Sequence, residues 1–375
     1  MSKRSPLHPV NRIHLDRLTD ATGIREHAIG SEPDPTHGYC TDDVARALEV
    51  DLLHAQVLGW AAVAGSAWRN LRFLADAFDD LTGRFRNVRR RDGTWAHGRA
   101  SDDSQGRAML GLSAAIATAP DVRLASAAAA LFADALPQAQ RVRPIRAQAS
   151  VILACDAVHR AAPSGPAAAA HRLLATDLLR TFSGPSTDKR WPWPEDQVTY
   201  ENARPARALI VAGRSLGSTA MLDRGLSVLD WLVAAQTAEA GHLSPIGNGW
   251  WTRGAEKATF DQQPIEATSL LLAAESALAA TGERRYATVM DRSYAWFLGA
   301  NDLDVAVADP ARGASFDGLT PTGVNTNQGA ESTLMWLTAL EHIRAHRAPV
   351  VEATTEPAEA DAPVETERPL VASSR

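Results

Sequence analysis

Residues 190–209, RWPWPEDQVTYENARPARAL, hold the densest set of side chains able to do chemistry. Trp191 and Trp193 alternate with Pro192 and Pro194. A proline inside a helix loses a backbone donor, so this half reads as a loop. Ala203, Ala206, Leu209 and Ile210 then fall at helical spacing. Between the two lie Glu195, Asp196, Tyr200, Glu201 and Asn202. Indole faces stack on the C–H surfaces of a pyranose ring, and carboxylates bind its hydroxyls or move protons, so the mixture suits a sugar-handling cleft. The same residues also describe a packed Trp-Pro loop ahead of a helix whose dipole favours acids at its start. The rest of the chain decides between these readings.

Comparable sets recur. His37, Tyr39, Asp42 and Asp43 precede one apolar helical run, and Arg91, Trp95, His97, Asp102 and Asp103 precede the next. Arg143 and Arg146 stand at a third. His242, Trp250, Trp251, Asp261, Gln262 and Gln263 lead into a fifth, and Asp317, Asn325, Asn327, Gln328 and Glu331 into a sixth. Taken singly, each has a plain reading: the Asp pairs cap helices, the Trp pair plugs a loop, the histidines are structural. The histidine spacings fit no standard metal motif. Convergence is what makes them a candidate site.

The elements that position them are six helical segments with a polar start and a small, apolar face. They begin near Asp43, Asp103, Arg146, Glu201, Gln263 and Gln328, at irregular intervals of about 45 to 65 residues. Four share a finer register of polar residues at i and i+3, which lie on one helix face: Asp43/Arg46, Glu201/Arg204, Gln263/Glu266 and Gln328/Glu331. Five amphipathic runs alternate with them, at residues 67–79, 123–138, 168–182, 220–236 and 284–299. Residues 12–24 predict a short helix stopped by Gly23, able to stand in for a sixth, and Thr41 is the expected cap of the helix after it. Buried helices alternating with more exposed ones predict an all-α (α/α)6 toroid over residues 1–346, with an open helical solenoid as the alternative. Residues 347–375, rich in Pro, Glu and Ala, read as a disordered tail.

The net charge of −6 argues against a nucleic-acid or anionic-membrane partner. No apolar run is long enough to read as a membrane span or a secretory leader, and two cysteines make no disulfide framework, so the cytoplasm is the expected setting.

HGYCTDDVARAL, SDDSQGRAMLGL, WPWPEDQVTYENARPARALI and FDQQPIEA resemble a group of bacterial proteins often found beside or fused to glycosyltransferases, and look like six-hairpin glycosidase-type domains. The resemblance spans residues 10–346 and implies an (α/α)6 carbohydrate-active fold. It assigns no catalytic pair. No strand–helix alternation or Gly-rich phosphate turn supports a glycosyltransferase.

The leading expectation is glycoside hydrolysis without a cofactor or metal. Glu195 or Asp196 would be the acid, with its pKa raised by burial or a neighbouring carboxylate. Asp43, Asp103 or Asp261 would be the base. Enzymes of this fold tend to invert, with carboxyls about 6.5–9.5 Å apart. Trp191, Trp193 and Trp251 would stack on sugar rings. Arg107, Gln263 and Asn202 would hold hydroxyls, and His37, Asp42, Trp95, His97, Arg146, Tyr200, Glu201, Gln262 and Gln328 complete the candidate binding set. The alternatives are a sugar epimerase or isomerase using His97 or His242, a lyase using Tyr200 and Arg146, and a non-catalytic sugar-binding toroid. A diphosphate-binding Asp-Asp site is disfavoured by Arg46, which stands where a further acid is needed.

Overall fold

A computed structural model of the chain describes residues 5–96, 98, 100–184 and 190–348. His97 and the tail beyond residue 348 lie outside the described residues.

The six buried segments form α2 (Thr41–Leu58), α4 (Asp102–Thr118), α6 (Ile145–Ala161), α8 (Ala203–Ser215), α10 (Pro264–Thr281) and α12 (Ala330–Arg347). The amphipathic runs form α3 (Trp60–Ala77), α5 (Val122–Ala139), α7 (Gly165–Phe182), α9 (Thr219–Ala235) and α11 (Arg284–Phe297). The N-terminal helix α1 is shorter than the sequence suggests, Ile13–Leu18. The Asp20 carboxylate takes the Thr22 and Gly23 amides, and this turn ends the helix ahead of Gly23.

Each inner helix packs on the next, from α2 through α4, α6, α8 and α10 to α12, and α12 packs back on α2. The ring therefore closes as an (α/α)6 toroid. Every inner helix also packs on its own hairpin partner, with α1 serving α12. The inner helices can touch three neighbours because they are small and apolar nearly all round. Gly106 and Gly111 of α4 show this directly. A Cβ on Gly106 would stand 2.9 Å from the Ser150 Cβ of α6, and one on Gly111 would stand 2.9 Å from the Ala45 carbonyl of α2. The largest side chains of the core, among them Trp193, Trp296 and Trp336, are fully buried.

Ser101, Asp121, Ser164 and Ser218 cap α4, α5, α7 and α9 with their side chains. Thr41 does not cap α2. Cys40 occupies the cap position, and the Thr41 hydroxyl donates instead to the Arg86 carbonyl at 2.6 Å. Short antiparallel ribbons tie the long loops together. Tyr39–Cys40 pairs with Val88–Arg89, Gln197–Val198 with Trp251–Thr252, and Gly318–Thr320 with Gly323–Asn325. Among the described residues no helix is long and apolar enough to cross a membrane.

Candidate active site

The starts of α2, α4, α8, α10 and α12 and the loops before them enclose a cleft of two connected chambers, about 650 and 360 Å³. Its floor is the first turn of α2. Asp43 is buried, and its carboxylate accepts from Arg46 Nη1 at 2.7 Å. Arg46 Nη2 reaches Glu331 of α12 at 2.8 Å. Burial pushes Asp43 up to about 7 despite the neighbouring guanidinium, with Glu331, Glu26 and Asp42 adding to the rise. Asp42 is also raised, first by burial, and its Oδ1 has no protein partner. Both carboxyls therefore tend toward the protonated form where a helix dipole alone would favour the anion.

A buried ionic lattice supports this floor from beneath. Arg107 of α4 donates through Nη2 to both Glu201 oxygens, at 2.8 and 2.7 Å, and Arg204 of α8 pairs with the same carboxylate. Arg204 also reaches Ser150 of α6 at 2.9 Å. Glu266 of α10 accepts from the Glu201 and Asn202 amides and from Asn202 Nδ2, while burial raises it to about 7. Burial lowers Arg107 to about 10. Each charge taken from water has a partner, the condition under which buried ions are tolerated.

The expected site residues divide. Asp42, Asp43, Asp103, Arg107, Tyr200, Glu201, Asp261 and Gln263 all line the cleft. Of these, Asp103 accepts from the Tyr200 hydroxyl, and Glu201 is held in the lattice. Gln262 touches the larger chamber, but its amide is spent on Trp296 at 2.9 Å and on Thr259 and Asp302 at 2.8 and 2.5 Å.

The expected indole platforms are corrected. Trp191 is 5 % exposed and lies edge-on to Trp251 at 4.9 Å. Trp193 is fully buried and edge-on to Phe182 at 5.5 Å. Trp251 stacks on Trp231, with centroids 5.1 Å apart at 13°. Trp191 and Trp193 are thus buried away from any sugar, and the half-buried Trp251 has one face taken up by Trp231. Each indole N–H is satisfied by the carbonyl four residues on, those of Glu195, Gln197 and Ala255. Such a local donor–acceptor fold-back leaves no pattern in residue type.

The expected acids also move. Glu195 and Asp196 do not line the cleft. Glu195 pairs with Arg146 at 3.1 Å, and Asp196 is exposed, its carbonyl accepting from the Arg253 amide. Arg146 and Asn202 brace this loop: Arg146 donates to the Tyr200 carbonyl, Glu195 and Asn202. Trp95 packs against Phe73 at 5.4 Å with Arg86 over its ring at 5.0 Å. His37 is held by Asp34 at 2.9 Å, and Gln328 is buried with its carbonyl bonded to His14. His242 pairs with Asp302 at 2.8 Å and lines neither chamber. The Tyr200 phenol is raised by burial and by Asp103, which makes it a poor base for a lyase.

Glu26, His27, Asn87 and Asn248, which the sequence did not single out, complete the walls with Asp317 and Trp250, which it placed ahead of inner helices without a role. Arg46, Arg204 and Glu331 belong there too, and the i, i+3 register had marked all three. Trp250 was marked only by its place with Trp251 in the set ahead of the fifth inner helix.

No protein-family model matches the chain, and no curated protein is similar to it in sequence. Solved structures are similar in fold. A cellobiose 2-epimerase from Bacillus thermoamylovorans B4167 superposes with a TM-score of 0.68 at 11% identity, over 88% of this chain and 95% of that one. A D-mannose isomerase gives 0.69 at 12% identity, over 89% and 95%. A GH76 α-1,6-mannanase from Salegentibacter sp. HEL1_6 gives 0.62 at 11% identity, over 89% and 96%. The six-hairpin glycosidase-like (α/α)6 fold is thus shared by isomerising and hydrolysing enzymes, and fold alone does not select between them.

Proposed function

We propose that the protein is a carbohydrate-active enzyme, a glycoside hydrolase acting on an oligosaccharide. The observation that carries this reading is the Asp42–Asp43 pair, two adjacent carboxyls pushed toward the protonated form at the floor of a cleft that also holds the water-exposed Asp261. A carboxyl that keeps its proton near neutral pH can protonate a leaving glycosidic oxygen. Asp42 is the member of the pair that faces substrate, since it lines both chambers while Asp43 lines only the larger. Asp261 activates the attacking water. Arg46 holds Asp43 and Glu331 in place around the acid. Two buried cysteines and the chain's acidic balance accord with a cytoplasmic enzyme for small oligosaccharides rather than polymer.

The test is hydrolysis of gluco-, manno- and galacto-oligosaccharides by the parent and by folded Asp42→Asn, Asp43→Asn and Asp261→Asn variants. Loss in all three supports the assignment, and full activity in all three rejects it. A second reading, a sugar epimerase or isomerase, is favoured by one observation: His27, about half exposed beside Glu26, lines the larger chamber. Product analysis separates the two, because an epimerase leaves the number of free reducing sugars unchanged. Binding without turnover would instead make the toroid a sugar-binding protein.

A further inference from the structure

Trp250 is a strained residue beside three well-packed indoles. Its φ is 66°, in the left-handed region that a bulky side chain rarely enters. The conformation is held on both sides. Its amide donates to the Gly247 carbonyl at 2.9 Å, and its carbonyl accepts from the Ala258 amide at 3.0 Å. The next residue, Trp251, is pinned by strand pairing with Val198 and by stacking on Trp231. With Trp251 anchored in the aromatic cluster, the reversal at Trp250 leaves its indole 40 % exposed, on the wall of the smaller chamber.

The two chambers differ in chemistry. The larger has Glu26, Asp43, Asp261 and Asp317 among its walls, and none of its lining residues is a Trp, Tyr or Phe. The smaller carries Trp250, Tyr200 and Ile265 beside Asp103 and Arg107. Each lies within the range of a small-molecule site, about 300–1,000 Å³. Asp42, Arg46, Asn87, Asn248, Gln263 and Glu331 line both and so mark the junction.

We infer that the cleft is two sugar subsites meeting at Asp42, and that Trp250 is the stacking face of the smaller one. This rests on the saccharide reading above. A sugar ring offers hydroxyls at its edge and C–H bonds on its face. The acidic chamber grips hydroxyls as an acceptor-rich wall, whereas the aromatic chamber takes a ring face and holds its edge with Asp103 and Asn248. The ligand is therefore a saccharide of at least two residues, uncharged in the ring that enters the larger chamber, since a uronate or phosphate there would meet several carboxylates. Strain of the kind stored at Trp250 persists where the surrounding structure over-determines it, often at ligand clamps.

The experiment is calorimetric titration in an Asp42→Asn background, so that binding is read without turnover. The probes are glucose, mannose and galactose and the α-1,6- and β-1,4-linked disaccharides of each. At least one disaccharide is expected to bind about tenfold tighter than its monosaccharide, the scale of one aromatic contact. Adding Trp250→Ala should erase that gain and leave monosaccharide affinity within about twofold, while Trp250→Phe keeps most of it. Trp250→Leu, apolar but without a ring, replaces Trp250→Ala if the latter does not fold. Equal weakening of mono- and disaccharide, an undiminished disaccharide gain, or no binding by any probe would each overturn the inference. No hydrolysis by the parent, or full hydrolysis by the Asp42→Asn variant, with the Trp250-dependent gain intact would instead reject only the catalytic assignment.

Discussion

The loop before α8 and the first turn of α2 carry similar inventories, and the fold uses them in opposite ways. In the loop, prolines and local indole-to-carbonyl bonds turn Trp191 and Trp193 inward, and Arg146 gathers Glu195, the Tyr200 carbonyl and Asn202 into a brace. At α2 the two acids stand in the first turn of the helix itself rather than in the loop before it. Asp42 and Asp43 project from a helix whose neighbours on the ring bring Glu331 and Arg107 close enough to perturb them, and the cleft opens above. A carboxylate beside indoles was the more suggestive sequence, yet its groups satisfy one another. Carboxyls on a closing ring cannot all do so, and the excess is where proton chemistry becomes possible.

The sharpest way to break this comparison is to neutralise one carboxyl in each region. Asp42→Asn and Asp43→Asn are expected to lower kcat/KM for oligosaccharide hydrolysis by about 10²–10⁴, the usual worth of a general acid. Glu195→Gln and Asp196→Asn should stay within about threefold of the parent, since neither lines the cleft. A dead, folded Glu195→Gln enzyme would reverse the assignment.

The tryptophans give the matching contrast in stability. Trp193→Ala empties a fully buried site and should cost about 3–5 kcal/mol in urea unfolding. Trp250→Ala, at an exposed position, should cost less than about 1 kcal/mol. Similar losses for both would mean that Trp250 is packing rather than lining a subsite.

The pH dependence sharpens the α2 side. Asp43 rises from 3.8 in the unfolded chain to about 7 in the fold. The folded state therefore binds its proton more tightly, and the stability gained is full below about pH 3.8 and is lost as pH rises through about 7. Glu266, also raised to about 7, acts in the same direction. Urea unfolding of Asp43→Asn followed from pH 4 to 8 should show a shallower decline than the parent, and hydrolysis by the parent should fall as pH rises through about 7. A hydrolysis rate still climbing at pH 9 would exclude the pair as the acid.

The smallest effect is expected at the brace. Removing Glu195, which is 39 % exposed, breaks a partly solvated ion pair with Arg146 and should change stability by less than about 1 kcal/mol, read from the urea midpoint.

Much of the architecture was legible in the residues. The polar i, i+3 register placed Asp43/Arg46, Glu201/Arg204, Gln263/Glu266 and Gln328/Glu331 at inner-helix starts, because two groups on one helix face must meet the same surroundings. Glu201, Gln263 and Gln328 fall just before their helices, and of these Gln328 does not reach the cleft, only its partner Glu331. The inner and outer helices were distinguishable because a rod buried on all sides must be apolar all round, whereas one facing water need not be. Which indole faces water was not legible. Trp250 and Trp251 are adjacent and identical, and only the pairing of Trp251 with Val198, some fifty residues away in sequence, turns one inward and leaves the other on the cleft.

The chain's own pattern thus determined six buried helices, their hairpin partners and the polar character of their leading ends, since each follows from local spacing and side-chain size. Ring closure by α12 against α2 was decided in three dimensions. So were the upward shift of the Asp42 and Asp43 carboxyls and the choice between Trp250 and Trp251. Burial, ion-pair geometry and cross-loop strand pairing are properties of neighbours brought together by folding, and no residue carries them alone.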